Sequence, residues 1–301
     1  FHIYPFTIAE AATYFDFGDI PGTREFFSSL FDGKLPEKDL QERELFRRPV
    51  SGKLTGLIEQ LLTKTLFPPA YSRIQDSEIE RWLTDYIDTY VEKDMRALSQ
   101  IRDMEGYRKS VIALAARTAR ILQLKALADE AGVNQITVKK YVSIWEESFS
   151  GRRLDPFFLN PATRIRKSQK VTFLDNGISW ALTGFQDRQI LLASGQIGFL
   201  FENLLMNEFF KYAALSPHMP QFYFWEKSQA SEVDLVVQTK GFVIPIEIKW
   251  GTHVNSSWTR SITIFKQTHR NLPIPFSLII YNGEYKKLED NVYCIPAWIL
   301  G

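Results

Sequence analysis

Residues 231–250, SEVDLVVQTKGFVIPIEIKW, read as two β-strands around a turn, yet Asp234, Glu247 and Lys249 stand among their valines and isoleucines. Gly241 supplies the positive φ that a two-residue turn at Lys240-Gly241 needs. That register sets Asp234 opposite Glu247 and Glu232 opposite Lys249, with the Cβ atoms of an opposed pair roughly 4.5–5.5 Å apart. Period-two alternation places Glu247 and Lys249 on one side and sends Val233, Leu235, Ile246 and Ile248 to the other. Two carboxylates so placed can hold a hard cation, since Mg²⁺ typically takes one or two carboxylates plus waters. An ammonium beside the ion can position an attacking water or stabilise an anionic transition state. The same three side chains can equally form an ion-paired patch, and their types leave both readings open.

A fourth acid comes from the preceding segment, IGFLFENLLMNEFFKYAAL, which has helical periodicity. At 100° per residue Phe199, Leu205, Met206, Phe209, Phe210 and Tyr212 share one broad arc, and Glu202 falls near its centre. A carboxylate on an apolar face is costly unless it is paired or metal-bound. Glu208 falls at the edge of the arc and is expected to be an ordinary surface acid.

These residues need a scaffold. KVTFLDNG, QFYFW, EVDLVV, FVIPIEI, PFSLIIYNG and NVYCIPAWIL read as strands, interleaved with the helix above and with SSWTRSITIFKQTHR. That alternation predicts an α/β (α+β) domain around a mixed sheet. Residues 1–104 read as mostly helical, with a polar, Pro- and Gly-punctuated stretch at 18–53 and a break at Pro68-Pro69. In DSEIERWLTDYIDTYVEKDMRAL, Ile79, Trp82, Leu83, Tyr86, Ile87 and Tyr90 recur at helical spacing behind a cap at Asp76 or Ser77.

LKALADEAGVNQITVKKYVSIWEESF has the pattern of a helix-turn-helix. Gly132 can end the first helix in the left-handed conformation, and Asn134 can cap a second from Gln135 to about Phe149. Ala128, Val133, Val138 and Tyr141 or Val142 then point inward. Gln135, Thr137, Lys139 and Lys140 point outward, residue types that touch phosphates and base edges. Residues 106–170 carry 13 Lys/Arg against 5 Asp/Glu, an excess of +8 in a chain of net charge +1. Arg152, Arg153, Arg164, Arg166 and Lys167 therefore join the candidate nucleic-acid contacts. A helix-turn-helix can also serve only as a protein-docking module.

Other chemistries are excluded by what the sequence lacks. The composition, 45% hydrophobic and 24% charged, is that of a soluble globular chain. No apolar run approaches the roughly 20 residues of a membrane span, and no charged n-region opens a signal peptide. The single cysteine, Cys294, forbids an intrachain disulfide and favours the cytoplasm. His2, His218, His253 and His269 show no zinc spacing, and no G-x-S-x-G elbow occurs. VSGKLTG at 50–56 has Gly-Lys without the leading glycine or following hydroxyl of a P-loop.

A helix glutamate, an aspartate and then Glu-Ile-Lys after a strand hairpin resemble the PD-(D/E)XK nuclease superfamily, of restriction-enzyme, Holliday-junction-resolvase and RecB-like type. The resemblance implies that Asp234 and Glu247 bind a catalytic Mg²⁺ or Mn²⁺, that Lys249 assists the water, and that Glu202 adds a ligand. It also implies that Gln267 in the following helix matches the glutamine of RecB-like members. The usual proline-aspartate pair is missing, since Val233 precedes Asp234.

The segments YIDTYVEKDMRAL, LAARTARIL, LADEAGVNQITVKKYVSIWEESF, KSQKVTFLDNG, GFLFENLLMNEFFK, EVDLVV and IPIEIKW follow one another in that order. Together they are similar to a prokaryotic family of predicted AAA+ ATPases with a C-terminal domain of unknown function. That similarity implies a helical lid remnant at 1–104, a winged helix-turn-helix at 105–156 and a nuclease-like domain at 157–301. It places the nucleotide-binding half before Phe1, so ATP is implied only for a part outside this chain. DNA is the expected partner, with no membrane, a cytoplasmic location and homo-oligomers formed through the ATPase part. The alternative is a non-catalytic nuclease-like fold that binds DNA or docks protein.

Overall fold

The computed structural model describes residues 4–14, 22–47, 51–71, 76–89, 101–165, 167–184, 191, 194–217, 219–228, 231–239 and 241–300. The expected helical position Tyr90 and the candidate contact Arg166 lie outside them. The described chain is α+β, as expected, and divides into two compact units that are discontinuous in sequence. One comprises Phe1–Pro5, Leu61–Leu154 and Ser168–Asn203; the other comprises Phe6–Gln60, Asp155–Lys167 and Leu204–Gly301. The expected cuts at 104 and 156 do not coincide with this division. The chain leaves the first unit at Leu154 and re-enters it at Ser168, because strand β2 (Lys170–Phe173) returns to pair with strand β1 (Gly151–Pro156).

The elements before β1 are α1 (Ile8–Tyr14), α2 (Thr23–Phe31), α3 (Glu37–Arg47), α4 (Ser51–Leu61), α5 (Pro68–Tyr71), α6 (Asp76–Asp88), α7 (Met104–Ala115), α8 (Leu124–Ala131) and α9 (Gln135–Glu147). Within the 18–53 stretch the described residues form α2, α3 and the start of α4. Its Pro/Gly signals mark the junctions, while Phe26, Phe27, Leu30 and Phe31 bury the α2 face. Pro68 does not break a helix. It begins α5, where its missing N–H would be unpaired anyway.

In the first unit, Asp103 caps α7 by accepting from Gly106 N at 2.8 Å. Gly132 ends α8 at φ 69°, and Asn134 Oδ1 accepts from Thr137 N at 2.8 Å to start α9. Ala128, Val138, Tyr141 and Val142 are buried as the pattern required. β1 runs antiparallel to β2, and Ile121 bridges Lys170 on the other edge of β2. Trp145 of α9 packs on Phe173 of β2 with ring centroids 5.0 Å apart, which ties helix pair to ribbon. α11 (Asn176–Thr183), capped by Asp175, closes this core.

The second unit is built on a mixed sheet. β3 (Gln221–Ser228), β4 (Ser231–Thr239) and β5 (Phe242–Lys249) are successive antiparallel strands, β3 pairing with β4 and β4 with β5. β6 (Ser277–Tyr281) and β8 (Val292–Pro296) continue parallel to β5, and the short β7 (Lys286–Lys287) edges β8. The end of β1 joins the other side, Asp155 and Pro156 lying parallel to Tyr223 and Phe224, before α10 (Pro161–Ile165). The crossover from β5 to β6 is α13 (Ser256–Thr268), which buries Ser261, Ile262 and Phe265. The final segment turns from β8 into a 3-10 helix at Ala297–Leu300 rather than continuing as a strand.

α12 (Ile197–Ala214) ends in the second unit, where Phe209 and Tyr212 pack on Phe27 of α2 at 5.1 and 4.2 Å. Each buried phenylalanine of this kind contributes about 1.5–3 kcal/mol. Glu208 is not the surface acid its helical angle predicts; it is fully buried. Lys211 Nζ donates to Glu208 Oε1 at 2.8 Å and to Phe6 O at 2.6 Å, and Ile8 N donates to Glu208 Oε2 at 3.0 Å. The pair binds the segment entering α1 and satisfies the N–H of Ile8, the first residue of that helix.

His269 closes α13 inside an aromatic box, 4.6 Å from Phe265, 5.3 Å from Phe157 and 6.0 Å from Trp225. Burial pushes its pKa down. A base with a depressed folded pKa contributes stability that is full above its unfolded value and lost as pH falls below it. Thermal unfolding should therefore show a loss of stability between about pH 7 and pH 5. The loss should flatten in His269→Phe, and an unchanged pH profile in that variant would place the loss elsewhere.

Candidate metal centre

The hairpin register is the one the turn requires. Leu235 faces Ile246, Val236 faces Pro245, Val237 faces Ile244 and Thr239 faces Phe242, with Gly241 at φ 97°. Backbone pairing between β4 and β5 stops at Leu235, one residue short of Asp234. There the Asp234 side chain takes over. Its Oδ2 accepts the N–H of Ile248 at 2.7 Å, so the carboxylate occupies the place of a strand partner.

A bulge aims it. Tyr223 pairs with Val236 and Trp225 with Val233, so Asp234 and Leu235 together stand against Phe224 alone. The extra residue breaks the alternation: Val233 shares a face with Val236, through their partners Trp225 and Tyr223, and not with Leu235. That correction matters because a strand regular on both sides would hold Asp234 in strict register with its neighbours. β5 meanwhile stays regular and pairs Glu247 with Ile279 and Lys249 with Tyr281 on β6.

Asp234, Glu247 and Lys249 converge. Lys249 Nζ lies 2.7 Å from Asp234 Oδ2 and 2.6 Å from Glu247 Oε2, so the two oxygens are no further apart than those distances together. Side-chain exposure is 5% for Asp234, 1% for Glu247 and 30% for Lys249, so of the three only Lys249 reaches solvent to any extent. Among the described residues no hydrogen-bond donor serves Glu247 Oε1. Burial, with the charge of Asp234 beside it, holds the Glu247 carboxyl well above its ordinary range, and Lys249 only partly opposes this.

Glu232 is the residue that sequence reasoning underused. Its carboxylate and that of Asp234 present oxygens within 4.8 Å of each other. Their i, i+2 spacing on one strand was the available signal. Glu202 lies in the first unit, where Lys170 Nζ donates to its Oε1 at 2.6 Å with 1% and 8% of the two side chains exposed. Gln267 stands away from the sheet. α13 turns Ser261, Ile262 and Phe265 inward, which leaves Gln267 exposed.

The donor set suits Mg²⁺ or Mn²⁺. It offers hard carboxylate oxygens, one of them buried and without a donor among the described residues, and no sulfur or imidazole. Tyr281, the strand partner of Lys249, lines a cavity of about 990 Å³. Glu44, Glu59 and Glu284 line that cavity, which makes it a poor seat for a phosphodiester backbone.

The candidate nucleic-acid residues divide between the units. Gln135, Lys139 and Lys140 are exposed on α9, with Thr137 half-buried beside them. Arg152 meets Tyr4 Oη at 3.3 Å. The guanidinium of Arg153 is held by Glu146, Nε to Oε2 at 2.7 Å, which withdraws it from an outward face. In the second unit Lys167 is exposed. Arg164 instead lies over the Tyr223 ring and donates to Tyr223 Oη at 2.8 Å and Phe158 O at 2.9 Å. Part of the +8 excess is offset by acids outside that stretch, with Arg108 on Asp88, Lys109 on Glu105 and Lys170 on Glu202.

Residues 197–300 match a family described as Domain of unknown function (DUF4143), and residues 55–189 match Domain of unknown function (DUF8612). An uncharacterized protein of Mycobacterium tuberculosis is 28% identical over 232 residues, 76% of this chain, as is an uncharacterized protein of Mycobacterium bovis. The chain spans about half the length of these relatives, 50% of each being covered. No solved structure matches it. Among the described residues no helix is long and apolar enough to cross a membrane.

Proposed function

We propose that this chain is the DNA-acting part of a cytoplasmic AAA+-type ATPase, with a helix-turn-helix that engages duplex DNA and a PD-(D/E)XK-like centre that hydrolyses phosphodiesters. The observation that carries the second half is the convergence of Asp234, Glu247 and Lys249 inside a sheet, at the point where β4 leaves β5. Support for the first half comes from the exposed Gln135, Lys139 and Lys140 on α9. The ATPase link is supported by the DUF4143 match, a domain found in AAA-ATPase-associated families.

Asp234 and Glu247 would hold Mg²⁺ or Mn²⁺, with Glu232 within reach as a further ligand; the ion would polarise a phosphoryl oxygen and acidify a bound water. The chain's own contribution is positioning. Ile248 N fixes the Asp234 rotamer, the buried Glu247 is kept from solvent, and Lys249, partly exposed, is placed to orient a water and stabilise charge on the phosphate.

A second reading is favoured by the closure of the charges on themselves. Lys249 is already ion-paired with both carboxylates and Glu202 is paired with Lys170, as a non-catalytic DNA-binding or docking scaffold would have them. Glu247→Gln separates the two readings. A carboxyl with a raised folded pKa contributes stability that is full below its unfolded value and is lost as pH climbs through the folded one. The neutral amide removes that loss, so the variant should match or exceed the parent in thermal stability near neutral pH. Mg²⁺- or Mn²⁺-dependent cleavage of duplex or single-stranded DNA should nevertheless disappear. Equal cleavage by variant and parent, or none by the parent with either metal, would favour the scaffold.

A further inference from the structure

Ile136 is 85% exposed on α9, whereas Val138, Tyr141, Val142, Ile144 and Trp145 of the same helix are buried. A lone exposed isoleucine is ordinary on a protein surface. Its position is not. It is the second residue of a helix that starts at Gln135 behind the Asn134 cap, in the first turn, where a helix entering the major groove presents side chains to base edges.

The surroundings select the occupant. From Asn134 to Tyr141 the chain carries Lys139 and Lys140 and no acid. Arg102, Lys140, Thr137 and Ile136 line a depression of about 750 Å³ beside the turn. Asp103 also lines it, but its carboxylate is engaged in capping α7 through Gly106 N. An apolar peptide would leave these cations without partners. Duplex DNA offers phosphates to the cations and, in the major groove, one apolar group on a base edge, the thymine 5-methyl.

Resting on the DNA reading proposed above, we infer that Ile136 is a specificity-determining residue that packs on a thymine methyl in the major groove. Gln135, Lys139 and Lys140 hold the helix against polar edges and backbone around it. Arg153, held by Glu146, takes no part.

The test uses the protein with a chelator present, so that no strand is cut. Duplexes enriched from a random pool by binding are remade with each thymine replaced in turn by deoxyuridine, which removes only the methyl. At one position the change should weaken binding about four-fold, the equivalent of about 0.8 kcal/mol for one buried carbon. Ile136→Ala, an exposed change to a better helix former, should bind the thymine and uracil duplexes alike. Salt-sensitive binding with no thymine-to-uracil effect would overturn the role of Ile136 and leave the DNA reading standing. Absence of any binding at low ionic strength would overturn both and point to protein docking instead.

Discussion

Lys249→Met is expected to lower metal-dependent cleavage by about 10²–10³, the range seen when a preorganised electrostatic group is lost from an active site. DNA affinity should barely change, because the residues proposed to bind duplex lie on α9 of the other unit. Methionine keeps most of the volume and removes the ammonium that lies 2.7 Å from Asp234 and 2.6 Å from Glu247. Stability should also fall, by about 3 kcal/mol, the low end for stranding a buried charge. The cost is held down because Glu247 can carry its proton and Ile248 N remains with Asp234. Rates must therefore be compared at a temperature where the variant is folded by circular dichroism. A folded variant that cleaves at the parental rate would leave Lys249 a structural cation only.

Lys170→Met should have the largest effect on stability, about 3–5 kcal/mol, because it leaves Glu202 buried without its ammonium. Both side chains are almost wholly buried, so solvent cannot replace the lost partner. Adding Glu202→Leu should recover most of the loss, since an apolar pair of similar volume often matches or exceeds a buried ion pair. Denaturant midpoints of the parent, the single and the double variant would measure this. A single variant within about 1 kcal/mol of the parent would show that Glu202 has other adequate support.

The sequence carried the hairpin well, because a tight turn at Gly241 leaves one register that satisfies both strands. It could not carry the bulge at Asp234. Val233, Asp234, Leu235, Val236 and Val237 are all buried, so no alternation of inward and outward residues marks where the register slips. Glu208 escapes local reading for a different reason: Ile8 N, which donates to it, and Phe6 O, which accepts from its partner Lys211, lie some two hundred residues away in the chain. Lys170 likewise gave no local sign that it would meet Glu202. Gln267 could have been placed from the pattern alone, since Ile262 and Phe265 already define the inward face of α13. The helix-turn-helix was legible almost residue by residue because Gly132 and Asn134 are local signals, acting through their own backbone.

The central claim is that Asp234 and Glu247 form a cation site, and direct titration with Mn²⁺ followed by its electron paramagnetic resonance tests it without relying on a substrate. The parent protein should hold a single tightly bound Mn²⁺ that Mg²⁺ displaces, and Asp234→Asn and Glu247→Gln should each lose it while remaining folded. A parent that leaves all Mn²⁺ free in solution, or variants that retain the ion as the parent does, would contradict it.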